Sequence, residues 1–309
     1  MDLGRIPHVR PAHAPEAPAF SDPDFVRAAD WLARAQSDPG LVVLGAPFGG
    51  GSISRARCDL TPAAIRKALE RFSVWSSDRA ISLEPLAALD AGDVEPDSDV
   101  EKTQQRIAEA VGAIHLETGG PIVLLGGDNS VTVGGARGVE ADGLLTFDAH
   151  HDCRDPSVQV TNGSVVRQLV EGGLTNVVQI GIHGFSNAEA HARWAQENKV
   201  HIVLADRVRD GGVEKAVAGG LRFLGRAKRI WVDFDIDVLD RAYAPGAPAA
   251  MPGGLLPRQL EEAAFLLGKE QRVAGIDITE VDPERDVSEI TVRAACAVLL
   301  SYAAGVASR

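Results

Sequence analysis

Gly143-Leu144-Leu145-Thr146-Phe147-Asp148-Ala149-His150-His151-Asp152 is an apolar run that turns, within one residue, into a cluster of acids and imidazoles. Two further segments repeat the plan. Pro121 to Leu125 leads into Gly126-Gly127-Asp128-Asn129-Ser130, and Ile230 to Val232 leads into Asp233-Phe234-Asp235-Ile236-Asp237. Short apolar, partly β-branched runs read as buried strands that end where the charges begin. Carboxylates at the strand ends of an open α/β sheet lie where such sheets bind ligands. Gathering mutually repelling acids there is costly unless cations neutralise them, and oxygen ligands with one imidazole suit Mn2+ or an ion of similar hardness.

Strand-like and helix-like runs alternate on both sides of these clusters. Strands are expected at 41–44, 121–125, 143–147, 176–182, 200–204, 230–234 and 273–278. Helices are expected at 62–71, 101–117, 164–171, 187–198, 213–223, 257–267 and 287–304. Parallel strands joined by helical crossovers follow, so the fold class is α/β: a three-layer αβα unit with a mainly parallel central sheet. Thr61 before Pro62 reads as the cap of the 62–71 helix. Residues 1–22, with Pro7, Pro11, Pro15 and Pro18, read as a flexible arm, and 23–309 as a single domain.

Composition sets limits on function. The chain of 309 residues carries 31 basic and 43 acidic side chains, a formal charge of −12, which excludes a nucleic-acid or anionic-membrane face. Cys58, Cys153 and Cys296 are an odd, widely spaced set and make no disulfide framework, which fits a reducing cytoplasm. No apolar stretch approaches the ~20 residues of a membrane span, and the first residues lack a secretory core. A soluble, unprocessed cytoplasmic protein is expected.

If the backbone stays extended, Asp148, His150 and Asp152 share one face, as do Asp235 and Asp237, because strand side chains alternate. Five ligand-type groups then converge from two strand ends, enough for two ions. A solvated loop is the plainer account of any one such cluster. The pair of clusters at 148–152 and 233–237, together with Gly126-Gly127-Asp128-Asn129-Ser130, favours a metal centre. His151 points away by the same alternation, and Asp233, Asp155 and Asp240 fall out of register. Gly45-Ala46-Pro47-Phe48-Gly49-Gly50-Gly51-Ser52 lacks both GxGxxG and a terminal Gly-Lys-Ser/Thr, so no nucleotide site is assigned to it.

In their order along nearly the whole chain, these segments resemble the ureohydrolase superfamily of arginases, agmatinases, guanidino-acid amidinohydrolases and formimidoylglutamases. The resemblance implies an arginase-like fold and two Mn2+ ions. Asp148 and Asp235 would bridge the ions, His150 and Asp237 would complete one site, and Asp152 with Asn129 the other. Most members have histidine where Asn129 stands. A neutral amide oxygen binds Mn2+ more weakly than imidazole, so the ion beside Asn129 is expected to be the looser one. Glu280, in Asp277-Ile278-Thr279-Glu280, matches the acid that holds the substrate's planar cation.

Agmatinases and arginases have a His-Gly pair where this chain has Asn162-Gly163, so their proton-shuttling histidine is absent. The combination of motif variants looks most like formimidoylglutamase. The resemblance implies hydrolysis of a C–N bond in a formimidoyl or guanidino compound, first N-formimidoyl-L-glutamate to L-glutamate and formamide. In that chemistry two cations lower the pKa of a bound water, Asp152 orients it and passes its proton on, and Glu280 holds the amidinium. A substrate with two carboxylates needs a cationic or amide-rich rim, for which Arg154, Asn162, Arg167 and His183 are the candidates. The alternatives are an agmatinase or guanidino-acid amidinohydrolase releasing urea, and a non-catalytic metal-binding member suggested by Asn129 and Asn162. The expected partner is a small amidine or guanidine, and related enzymes are trimers or hexamers, which implies a homo-oligomer.

Overall fold

The computed structural model describes residues 3–17, 22–34 and 36–309. Its strands are β1 (Val9–Arg10), β2 (Leu41–Gly45), β3 (Trp75–Ser76), β4 (Ile81–Ser82), β5 (Ala88–Val94), β6 (Ile122–Leu125), β7 (Gly143–Phe147), β8 (Val177–Ile182), β9 (His201–Leu204), β10 (Ile230–Asp235) and β11 (Val273–Thr279). The helices are α1 (Ala28–Leu32), α2 (Thr61–Ala68), α3 (Val100–Thr118), α4 (Thr132–Gly138), α5 (Val165–Glu171), α6 (Glu189–Glu197), α7 (Ala205–Gly211), α8 (Val213–Phe223), α9 (Pro257–Lys269) and α10 (Ile290–Val306).

Nine strands form one sheet in the order β1-β5-β2-β6-β11-β10-β7-β8-β9, with β3 and β4 a separate ribbon. All neighbours in the large sheet run parallel except β1 against β5. Alternation along the strands feeds two cores. Val43, Val123, Leu125, Phe147 and Phe234 pack with α1, α2 and α7 to α10, whereas Val42, Leu124, Leu144 and Trp231 pack with α3 to α6. Strands covered on both faces need no polar side, which is why β2, β6 and β7 are buried throughout. The expected three-layer αβα fold is the one observed.

The chain order creates the site. β6 and β7 are consecutive in sequence, yet β11 and β10 lie between them. Four central strands therefore present their carboxyl ends side by side where the winding reverses, the place in such sheets where ligands bind.

Several local expectations change. Thr61 is not a cap but the first residue of α2, and its hydroxyl donates to the Val281 carbonyl at 2.6 Å. A buried hydroxyl takes the nearest acceptor, and here that ties α2 to the chain beyond β11. Strand β5 was not foreseen because Asp90, Gly92 and Asp93 interrupt its apolar pattern. Arg66 bonds both acids, at 2.7 Å and 2.5 Å, and makes that strand tolerable. Helix α4 was missed because Thr-Val-Gly-Gly-Ala-Arg-Gly has poor helix propensity. Its glycines permit contact instead: a Cβ on Gly135 would lie 2.2 Å from the Trp231 ring, and one on Gly134 2.7 Å from the Gln104 carbonyl.

The arm also departs from the reading of 1–22 as free of structure. Val9 and Arg10 pair with Val94 and Asp93, and Ile6 is buried. Edge backbone groups gain partners by this addition, which offsets the ordering of a proline-rich segment. Residues 1, 2 and 18–21 of that segment lie outside the described residues.

Candidate active site

Phe147 ends β7, and the backbone does not stay extended beyond it. Asp148 accepts the His150 N–H at 2.6 Å, and Asp152 has φ +48°. Asp148 and His150 are thus brought together as expected, but by a turn and not by strand alternation: the turn folds His150 back over Asp148. At the end of β10, Asp235 likewise accepts the Asp237 N–H at 2.8 Å and opens the short 3-10 turn Ile236–Val238. Small acids at strand ends cap the turns that follow, and the same caps draw paired carboxylates together.

Asp148, His150 and Asp237 come into mutual reach, with one ligand atom from each within 4.8 Å of the others. His150 Nδ1 lies 2.9 Å from Asp237 Oδ2 and 3.4 Å from Asp148 Oδ1. Burial opposes charge on that imidazole, but Asp237 and Asp148 outweigh it and push its pKa up to about 12. Asp152 and Asp235 stand outside this tight group and are joined to it electrostatically. Burial first, then Asp148 for Asp152 and Asp237 for Asp235, holds both carboxyls well above the ordinary range.

The donor set fits divalent cations. Asp148, Asp235 and Asp237 are at most 3% exposed, and Asp148 Oδ2 is buried without a hydrogen-bond partner among the described residues. Buried acids held apart by one imidazole are left short of positive charge, and oxygen donors with one nitrogen match Mn2+-like ions. Asp148, His150, Asp152, Asp235 and Asp237 are the residues that would hold them.

Asn129 departs from its expected part. Its carbonyl oxygen receives the Thr132 and Thr279 hydroxyls at 2.8 Å and 3.1 Å, while its NH2 donates to Asp152 Oδ2 at 2.8 Å. An amide opposite a carboxylate turns its donor inward, so in this orientation Asn129 offers the site a hydrogen bond and not a ligand oxygen.

Glu280 directly follows β11 with φ +60° and is 3% exposed. Its Oε1 accepts the Asn129 N–H and the Asn162 NH2, both at 2.8 Å. Burial, then Asp128, raises its pKa. Asp128 itself, to which the sequence reading gave no role, is fully buried and accepts N–H groups of Gly51 at 2.8 Å and Ser130 at 2.9 Å. The only signal for it was its place in Gly126-Gly127-Asp128-Asn129-Ser130. His151 points away as expected, into a bond with Gln179 at 2.8 Å. Asp233 lies fully buried beside Asp277, and burial, then Asp277, holds its carboxyl well above the ordinary range.

The rim candidates separate. Arg167 is engaged by Asp155 at 3.0 Å and Glu171 at 2.7 Å, and its guanidinium lies 5.5 Å from the Trp194 ring. His183 uses Nε2 on the Pro252 carbonyl at 2.8 Å and Nδ1 on Ser186 at 3.0 Å. Neither is available as the cationic rim the sequence suggested, because local partners outcompete it. Arg154 is exposed, and its guanidinium forms no ion pair among the described residues. Its side chain crosses Gly163, where a Cβ would come within 2.7 Å of its Cδ, and this sets it beside Asn162.

Comparison with known proteins agrees with this architecture. The model of the arginase family matches residues 39–305. The formimidoylglutamase of Halalkalibacterium halodurans is 35% identical over 277 residues, covering 86% of this chain and 87% of that protein. That of Bacillus subtilis is 31% identical over 311 residues, with 96% of each covered. The crystal structure of the Bacillus subtilis formimidoylglutamase superposes with a TM-score of 0.88 over 94% of each chain at 31% identity. The Trypanosoma cruzi formiminoglutamase structure with Mn2+ gives a TM-score of 0.85 at 25% identity, over 93% of this chain and 100% of that one. On its fold, its acidic strand ends and these matches, the chain belongs to the arginase family.

Proposed function

We propose that the chain hydrolyses the C–N bond of N-formimidoyl-L-glutamate, consuming one water and releasing L-glutamate and formamide. The observation that carries this reading is the matched formimidoylglutamases, at 31 to 35% identity over most of the chain. Asn162, standing where a urea-releasing relative would place a histidine, supports it, and so does Arg154, an exposed cation without an ion-pair partner among the described residues.

Two Mn2+ ions held by Asp148, His150, Asp152, Asp235 and Asp237 would supply a water deprotonated near neutral pH and charge to stabilise a tetrahedral carbon. Asp152 has one oxygen fixed by Asn129, which leaves the other to orient the attacking water and carry its proton to the departing amine. Glu280 holds the amidinium, and its burial strengthens that pairing. Arg154 reads a substrate carboxylate. Asp128 and Asn129 act on the site only through Asp152, Glu280 and the loop they anchor. We further propose that residues 23–309 form one catalytic domain and that the protein is a cytoplasmic homo-oligomer. No helix among the described residues is long and apolar enough to cross a membrane.

The urea-releasing alternative draws on the similarity to a guanidinopropionase of Pseudomonas aeruginosa, at 29% identity over 92% of this chain. A panel followed by NMR with Mn2+-loaded protein separates the readings: N-formimidoyl-L-glutamate, arginine, agmatine, 4-guanidinobutyrate and 3-guanidinopropionate. Formamide from the first compound alone is expected. Urea from a guanidino compound would move the assignment, and no turnover with any of them would favour a non-catalytic member.

A further inference from the structure

The glycine-rich loop after β2 carries no nucleotide motif, yet it is bound into the site at several points. The Phe48 carbonyl accepts the Asp128 N–H at 2.8 Å, and the Gly51 N–H donates to Asp128 Oδ2 at 2.8 Å. The Gly51 carbonyl accepts the Asn162 N–H at 2.9 Å, and the Ile53 N–H donates to Asn162 Oδ1 at 3.2 Å. A Cβ on Gly51 would come within 2.6 Å of Ser130 Oγ and 2.9 Å of Asp128 Oδ1, so only glycine lets the loop approach this closely.

Asn162 closes the circuit. With its oxygen on the loop, its NH2 donates to Glu280 Oε1 at 2.8 Å, where the Asn129 N–H also donates. Two donors fill the lone pairs of one carboxylate oxygen. Among the described residues Glu280 Oε2 receives only the Cys58 thiol, at 3.7 Å, a long contact from a weak donor. The two oxygens are therefore unequal: one is spent inside the protein and the other keeps its acceptor capacity.

We propose that Asn162 is a positioning residue: it couples the glycine-rich loop to Glu280 and immobilises Oε1, so that Oε2 is the oxygen presented to the substrate's amidinium. This rests on Glu280 holding that cation. It replaces direct substrate contact by Asn162 with an action through Glu280, and it gives the glycine-rich loop a task in substrate recognition.

The test measures binding and turnover separately on Mn2+-loaded protein, with acetamidinium as the calorimetric probe and formimidoylglutamate as substrate. Asn162→Ala and Asn162→Leu are expected to weaken acetamidinium binding and raise KM by about tenfold or more, the scale of one charge-assisted hydrogen bond. The same variants should leave kcat within about threefold, the pattern of lost ground-state binding. Asn162→His keeps a side-chain N–H donor and should recover most of the affinity. Should both of these variants fail to fold, Gly51→Ala carries the test, because it displaces the loop with Asn162 intact and should weaken binding in the same way. Acetamidinium binding at wild-type strength in these variants, or no binding to the wild type, overturns the role. If acetamidinium binding depends on Asn162 as expected and the wild type yet leaves formimidoylglutamate intact, the proposed function falls and the positioning role stands.

Discussion

At the scale of single residues the site is an electrostatic problem solved with one imidazole. Asp148, Asp152 and Asp235 are driven upward by burial and then by neighbouring carboxylates. Above about pH 4, the unfolded-chain value, the metal-free native protein keeps protons that the unfolded chain has released. Stability then falls as pH rises through the raised native values. His150 adds to this trend, since its raised pKa contributes stability that is complete below its unfolded value and is lost only far above neutrality. Asp237 is lowered, because His150 overcomes the effect of burial, and it matters only below about pH 4. Divalent ions bound at the proposed centre would take the place of these protons, so the rise in Tm on adding Mn2+ should be larger at about pH 7.5 than at about pH 5.5. Paired thermal scans decide it, and an equal or smaller gain at the higher pH would contradict this account of the cluster. Asp152→Asn tests the proton's route. Turnover should fall by about 10²-fold or more, the usual contribution of a general base, with substrate affinity little changed. Equal losses in both would assign Asp152 to binding.

At the scale of elements, close approach decides more than propensity. Helix α4 exists because Gly134 and Gly135 let it lie against α3 and the Trp231 ring, whose indole N–H donates to Asp277 at 2.6 Å. Gly135→Ala should therefore destabilise the fold by about 1–3 kcal/mol, as overpacking does, even though alanine is the better helix former. Gly184→Ala is the control: nothing lies within 4 Å of its added Cβ, and its denaturation midpoint should not move. A stabilised Gly135→Ala would show that propensity, not packing, governs α4. The same contrast explains what the sequence disclosed. β7 was legible to the residue, because an all-apolar run buried on both faces leaves its mark in composition. α4 and β5 were hidden because what permits them, Trp231 for one and Arg66 for the other, is distant in the chain. Within the site, the pairings of Asp148 with His150 and of Asp235 with Asp237 were legible from short-range spacing, whereas the meeting of Asp237 with His150 was implied only by the family resemblance. The orientation of Asn129 was not, since Thr279 lies 150 positions away and only the fold brings its hydroxyl to the amide.

At the scale of the whole molecule, the sheet separates the chemistry from its own vulnerable edge. The strand ends that carry the candidate site belong to β6, β11, β10 and β7, at the centre, while β5 lies two places from β6. An open β5 would present unpaired backbone groups to other chains. The arm covers it: β1 pairs with β5, His8 meets Glu109 at 2.8 Å, and the Glu16 N–H donates to Glu70 at 2.9 Å. A two-residue strand contributes little energy by itself, but it removes a template for edge-to-edge association. Deleting residues 1–17 should consequently lower Tm modestly and increase aggregation on heating, read by light scattering. Activity per folded, Mn2+-loaded molecule should stay within about twofold, because no described residue of the arm touches the proposed reacting groups. A deletion that stays monodisperse on heating would mean that β5 is protected by other means. A folded deletion variant that loses activity would mean that the arm reaches the site through Arg66 and α2, whose first residue is bonded to Val281, the residue next to Glu280.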